Sequence, residues 1–147
     1  MTATYDDAIG FDYPDDWEVE TTVDGSRTTI SLQPPASSAF AFIALDSEGG
    51  DPRELIDEAI DAMRDQYPEI EVDPATETIA GRRAVGYNVE FFYLDVINTC
   101  EIRCFATLRH VVLIFGQWSE LDRRGIADGL EMIRATIVEI DLADETA

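Results

Sequence analysis

The chain has 147 residues, with 31 Asp and Glu against 10 Arg, no Lys, and a formal net charge of −21. That is the length of one domain with one substantial core. A field of that sign repels nucleic acid and anionic membrane surfaces unless basic residues cluster, and the only adjacent basic pairs are Arg82-Arg83 and Arg123-Arg124.

Residues 1 to 8 carry no periodic signal and read as a frayed end. They hold no apolar run of the kind that forms a signal peptide or anchor, and nowhere do about 18 apolar residues run together. A cytoplasmic protein without membrane contact is therefore expected. Ile9 to Tyr13 reads as a short strand that Pro14 ends. Trp17 and Val19 open another, and Asp24-Gly25-Ser26 is turn chemistry leading to Thr28-Ile30-Leu32, one face of the next strand. After the loop Gln33 to Ser38, Phe40 to Leu45 is apolar on both parities, as an interior strand is.

The first helix carries the clearest signals. Asp51 suits the N-cap, Pro52 the first helical position, and Glu54 the third position of a capping box. Ile56, Ala59, Ile60, Met63 and Tyr67 make one apolar stripe, with Glu54, Asp57, Glu58, Asp61 and Asp65 opposite, and Pro68 ends it. Ile70 to Val72 and Thr76 to Ile79 read as an edge strand interrupted by Pro74.

Arg83 to Trp118 holds three strand-like segments that suit the middle of a sheet. Val85, Tyr87, Val89, Phe91 and Tyr93 alternate onto one face, joined through Val96-Ile97-Asn98-Thr99 to Cys100, Ile102, Cys104, Ala106 and Leu108. The third segment is apolar on both parities, with Val111, Leu113 and Phe115 on one and Val112, Ile114 and Trp118 on the other, which marks a central strand. Its connection at Arg109-His110 lacks the Gly, Asn or Asp of a tight hairpin. A second helix follows with Ser119 as N-cap and Ile126, Leu130, Ile133 and Ile137 as its stripe. Gly129 borders that stripe, where it permits a close helix–sheet approach. From Glu139 the polar tail reads as loose.

The order is four strands, helix, three or four strands, helix: an α+β domain with a mostly antiparallel sheet covered by helices on both faces. The stretch Gly10-Phe11-Asp12-Tyr13-Pro14-Asp15-Asp16-Trp17, a short strand ending in Tyr-Pro with Trp three residues on, resembles the opening motif of PsbP-like domains. The layout is similar over about residues 9 to 140, through the helix Asp51 to Tyr67, the turn Ala80-Gly81-Arg82, the long strands and the closing helix. The resemblance implies a single domain over 1–147, an α/β/α sandwich around an antiparallel sheet of about six strands. It also implies a role in binding proteins, as in the photosystem II extrinsic subunit, the Ran-binding nuclear import factor and the bacterial chaperones of that superfamily. Phe11, Tyr13, Pro14 and Trp17 carry over as structural positions, and no functional residue does.

Catalytic chemistry finds little footing. The single histidine, His110, lies about six residues from Cys104, roughly 20 Å along a strand at ~3.3 Å per residue. Cys100 and Cys104 stand about 13 Å apart by the same rise, too far for a disulfide and more suited to core filling. No phosphate loop, zinc motif or calcium loop is present, so no catalytic, cofactor or metal set is expected. The second face of the central strands is more suggestive. It is expected to set Asn88, Glu90 and Phe92 against Arg103, Phe105 and Thr107, with Trp118 beside Glu101. A groove lined by Glu90, Phe92, Arg103, Phe105 and Trp118 is one reading; a half-covered sheet face with a Glu90–Arg103 cross-strand pair is the other.

The chain is thus expected to be a non-catalytic protein-binding, adaptor or chaperone module, with a protein partner or a second copy at an exposed strand edge. The alternative is a small-molecule binder using the aromatic groove. Its excess of carboxylate without lysine resembles proteins of organisms with a high-salt cytoplasm, the other reading being an acidic protein from a high-GC genome. Asp57, Asp61 and Asp65 stand four apart on one helix, a repulsion that salt screens as the Debye length falls to ~3 Å near 1 M. The high-salt reading predicts a melting temperature that rises from low to molar potassium chloride; a flat response contradicts it.

Overall fold

The computed structural model of the protein describes residues 2–5 and 8–140. Seven strands form one antiparallel sheet: β3 (Glu18–Asp24), β4 (Arg27–Gln33), β5 (Phe40–Asp46), β6 (Glu71–Ile79), β7 (Arg82–Tyr93), β8 (Val96–Ala106) and β9 (Val111–Ser119). Their order is β3-β4-β5-β9-β8-β7-β6. The doubly apolar segment β9 takes the middle place. β6 is an edge, and there Pro74 costs no ladder bond on the outer side, so the strand runs on through it.

Two helices cover this sheet from opposite sides. Along β8, Cys100, Ile102 and Cys104 pack with Val89, Phe91 and Val111 against Ile56 and Ile60 of α1 (Pro52–Gln66). Residues of opposite parity, Phe105, Val112, Ile114 and Trp118, join Ile30, Leu32, Ile43 and Leu45 under Ile126, Leu130, Ile133 and Ile137, the stripe begun on α2 (Arg123–Thr136). The sheet is larger than the six strands expected, because β3 to β5 extend it on one side of β9 and β8 to β6 on the other.

Both chain ends depart from expectation. Thr2–Tyr5 is not frayed but forms β1, pairing with β2 (Ile9–Asp12). The supposed tail supplies β10 (Val138–Glu139) on the other side of β2, making a separate three-stranded sheet. Ile9 and Phe11 of β2 are buried in the α2-side core. Side chains hold the end down: Glu139 accepts from the Leu108 N–H at 2.7 Å and pairs with Arg82 at 2.9 Å. Burial pushes the Glu139 carboxyl up, but the Leu108 N–H and the Arg82 guanidinium outweigh it and hold it below the ordinary value. The expected looseness from residue 141 onward lies outside the described residues.

Local capping is half as read. Asp51 caps α1, its carboxylate accepting from the Arg53 N–H at 3.0 Å, with Pro52 in the first turn. Ser119 is not the cap of α2. It closes β9, and its hydroxyl donates to Asp122 at 3.1 Å, the residue that precedes the helix. Between β8 and β9 the connection is Thr107 to His110, where Thr107 Oγ1 accepts from the His110 N–H at 3.0 Å. The strand therefore stops at Ala106, and Leu108 is exposed.

Gly129 explains why the Tyr-Pro…Trp motif matters to the fold. A Cβ at this position would stand 2.3 Å from Trp17 Cζ2 and 3.2 Å from Pro14 Cγ, so the indole rests directly on the helix. The close approach is to the loop before β3, not to the sheet. Gly125, on the same helix, has nothing within 4 Å. Gly129→Ala is therefore expected to destabilise the fold by ~1–3 kcal/mol through overpacking, whereas Gly125→Ala gains up to ~1 kcal/mol of helix propensity. Urea unfolding of the two variants checks the opposite signs.

Candidate functional site

The β7–β8 hairpin turns at Leu94-Asp95, both at positive φ (52° and 62°), the geometry of a two-residue type I′ turn. Val96 to Thr99, expected as the connection, are instead strand residues paired with Glu90 to Tyr93. This register decides where each expected site residue goes. Glu90 lies opposite Thr99, and Arg103, four residues farther along β8, lies opposite Gly86. The Glu90–Arg103 pair does not form. Trp118 pairs with Thr99 and not beside Glu101, and both Trp118 and Phe105 are buried in the α2-side core.

Arg103 is 6% exposed and serves the interior. Its Nε donates to Glu77 Oε1 at 2.8 Å, its Nη2 to Asn88 Oδ1 at 2.8 Å, and its Nη1 to the carbonyls of Tyr87 and Ile102 at 3.1 and 3.0 Å. Glu77 is shared with Arg134 of α2 at 3.3 Å, and Arg134 also pairs with Glu101. A charge taken this far from water needs such a full set of partners. Gly86 makes the site possible, because a Cβ there would meet Ile102 O at 1.8 Å. The network fastens α2 to the edge of the sheet.

Glu90 and Phe92 remain on the surface, at the turn end of the hairpin. Phe92, Tyr93 and Leu94 are 71, 54 and 79% exposed, three large apolar side chains in succession. Leu94 holds a left-handed conformation that costs an L-residue ~1–2 kcal/mol. Behind them α1 ends on Tyr67, whose ring stacks on Phe91 (4.3 Å between centroids) and meets Tyr93 edge-on at 6.2 Å. Helix and hairpin thereby brace one another.

Two open clefts flank the tip and share Glu69, Phe91 and Phe92. One, of about 400 Å³, adds Gln66, Tyr67 and Pro68. The other, of about 230 Å³, adds Glu71, Glu90 and Ile97. Glu71 and Glu90 lie directly opposite each other across β6 and β7. Like charges at such a pair repel, and Glu69 adds a third carboxylate. The surface is thus an apolar tip with an anionic rim, a form that gains from an apolar contact carrying positive charge.

Neither cysteine is activated as a nucleophile. Burial pushes the Cys100 thiol up to about 12; burial, with the charge of Asp51, does the same to Cys104, also to about 12. Neutral thiols of this kind are poor nucleophiles. Among the described residues no group of three His, Cys, Asp or Glu side chains is placed to hold a metal ion, and no helix is long and apolar enough to cross a membrane.

No protein-family model matches the chain, and no curated protein matches it. Solved structures do. LpqN of Mycobacterium tuberculosis, involved in cell envelope biogenesis, is similar with a TM-score of 0.63 at 14% identity, over 90% of this chain and 83% of LpqN. A Bacteroides thetaiotaomicron protein is similar with a TM-score of 0.59 at 12% identity, over 92% of this chain and 46% of its own length, so this chain spans less than half of it. At these identities the likeness is one of fold, a small α+β domain.

Proposed function

We propose that this chain is a non-catalytic adaptor or chaperone module of the PsbP-like type, and that it holds a protein partner at the tip of the β7–β8 hairpin. The observation that carries this reading is the tip itself: Phe92, Tyr93 and Leu94 stand in water beside Glu69, Glu71 and Glu90. Exposed aromatics ringed by charge are the usual anchors of a protein interface. The PsbP-like assignment draws support from the order of elements and from the packing of Pro14 and Trp17 on α2, which gives the Tyr-Pro…Trp motif a structural purpose.

Charge decides the kind of partner. A second copy of this chain would bring carboxylates against carboxylates, whereas a surface carrying Arg or Lys around an apolar recess complements both rim and tip. Small-molecule binding has less to rest on, since Phe105 and Trp118, two of the aromatics that would have lined a groove, lie in the core. The test is capture of a stoichiometric partner from cell extract by the wild-type chain and by Phe92→Ser/Leu94→Ser, both residues being exposed enough to leave the melting curve unchanged. The variant is expected to lose the partner by about tenfold or more, the loss typical of hot-spot residues. Retention of every wild-type partner by the folded variant overturns the assignment of the tip.

A further inference from the structure

At the opposite edge of the large sheet, β3 has among the described residues a neighbour on one side only, β4. Seven consecutive register pairs, from Glu18↔Gln33 to Asp24↔Arg27, run along it without a bulge. Its sequence, Glu-Val-Glu-Thr-Thr-Val-Asp, is rich in strand formers, and every residue except Val19 is exposed, Val23 at 70%. Edge strands of this length are normally blunted by proline, bulges, lysine or a covering element. β6 has Pro74 near its centre. β3 has only its carboxylates.

Those carboxylates are placed on one face. Glu18, Glu20 and Thr22 share the side that carries Ser31 and Phe42, while Val19, Thr21 and Val23 share the side of Leu32 and Leu45. Beside Glu18 and Glu20 lies a cleft of about 250 Å³ that continues over Ser31 and Gln33 to Phe40 and Phe42. Both rings stack on Phe115, with centroids 5.7 and 5.0 Å apart, which stiffens the floor. This part of the sheet lies past β9, on the α1 side but away from the strands β7 and β8 that α1 chiefly covers.

We infer that β3 accepts an extended segment of a protein partner as an additional strand, with arginine alternating with β-branched apolar residues. Main-chain hydrogen bonds to the free edge supply the addition, and alternate side chains supply the choice of sequence. On one side the β-branched residues lie beside Val19 and Val23. On the other each arginine stem crosses the Glu18–Glu20 row, so that its guanidinium reaches carboxylate and phenyl together, a pairing its planar fork favours over lysine. A second copy fits poorly: an antiparallel β3 centred on Thr21 sets Glu18 against Asp24 twice. The inference concerns a surface remote from the hairpin tip and stands or falls without it.

Amide hydrogen exchange on the full, isotope-labelled chain, with a short peptide alternating arginine and valine as the probe, tests it. β3 amides that exchange freely in the absence of peptide are expected to slow by about tenfold or more. The same peptide N-methylated on alternate residues, and one with glutamate in place of arginine, are expected to leave them unchanged. Glu18→Arg/Glu20→Arg, at exposed positions, is expected to reverse the preference toward the glutamate peptide. Protection confined to β6 or to the hairpin tip overturns the inference, as do equal binding by the N-methylated peptide, an unaltered preference in the charge-reversed variant, or β3 protection that rises with protein concentration alone.

Discussion

The pairing of β7 with β8 is the constraint on which the rest depends. Because the chain reverses over Leu94 and Asp95, Arg103 arrives opposite Gly86, the one residue of β7 whose missing Cβ leaves room for the Ile102 carbonyl that accepts from the guanidinium. From there its guanidinium reaches Glu77 and Asn88, and Glu77 in turn reaches Arg134 on α2. The same reversal carries Glu90 and Phe92 away from Arg103 and out to the tip. One register thus puts the positive charge inside and leaves negative charge and aromatic surface outside.

This partition runs through the molecule. Ion pairs through Arg82, Arg103 and Arg134 tie β10 and α2 to the sheet. These guanidiniums are occupied with holding layers together, while Glu69, Glu71 and Glu90 at the rim of the tip and Glu18 and Glu20 of β3 stand on the surface. An excess of acid in composition becomes, in three dimensions, two anionic surfaces that each adjoin exposed apolar side chains. A positive partner is proposed at each, at one through a protruding anchor and at the other through a strand edge. The fold beneath is of a kind that also appears in LpqN, and fold alone assigns no function.

Much of the architecture was legible in the sequence because burial writes itself in periodicity. Alternation placed Val89, Phe91, Cys100, Ile102 and Cys104 on one side, and the spacing of Ile126, Leu130, Ile133 and Ile137 gave α2. A central strand apolar on both parities could only be β9. What escaped was whatever lacked a periodic signature. β10 has two residues, too few to alternate, and its anchoring by Arg82 and Leu108 is purely tertiary. The type I′ turn at Leu94-Asp95 carries neither Gly nor Asn, so the hairpin was closed too late in the chain. The face of each residue survived that error, since the slip preserved parity, but the partners did not. The groove of Glu90, Phe92, Arg103, Phe105 and Trp118 depended on partners. Only the run Phe91-Phe92-Tyr93, apolar on both parities beside a turn, hinted at an exposed tip.

The register of β7 and β8 is therefore the claim to test first, and cross-strand nuclear Overhauser contacts read it directly. Contacts between Glu90 and Thr99, between Asn88 and Glu101 and between Gly86 and Arg103 are predicted, in keeping with the pairs of this hairpin. Contacts joining Glu90 to Arg103 would contradict the account: they would pair the guanidinium with Glu90 and so remove both the buried network and the anionic rim of the tip.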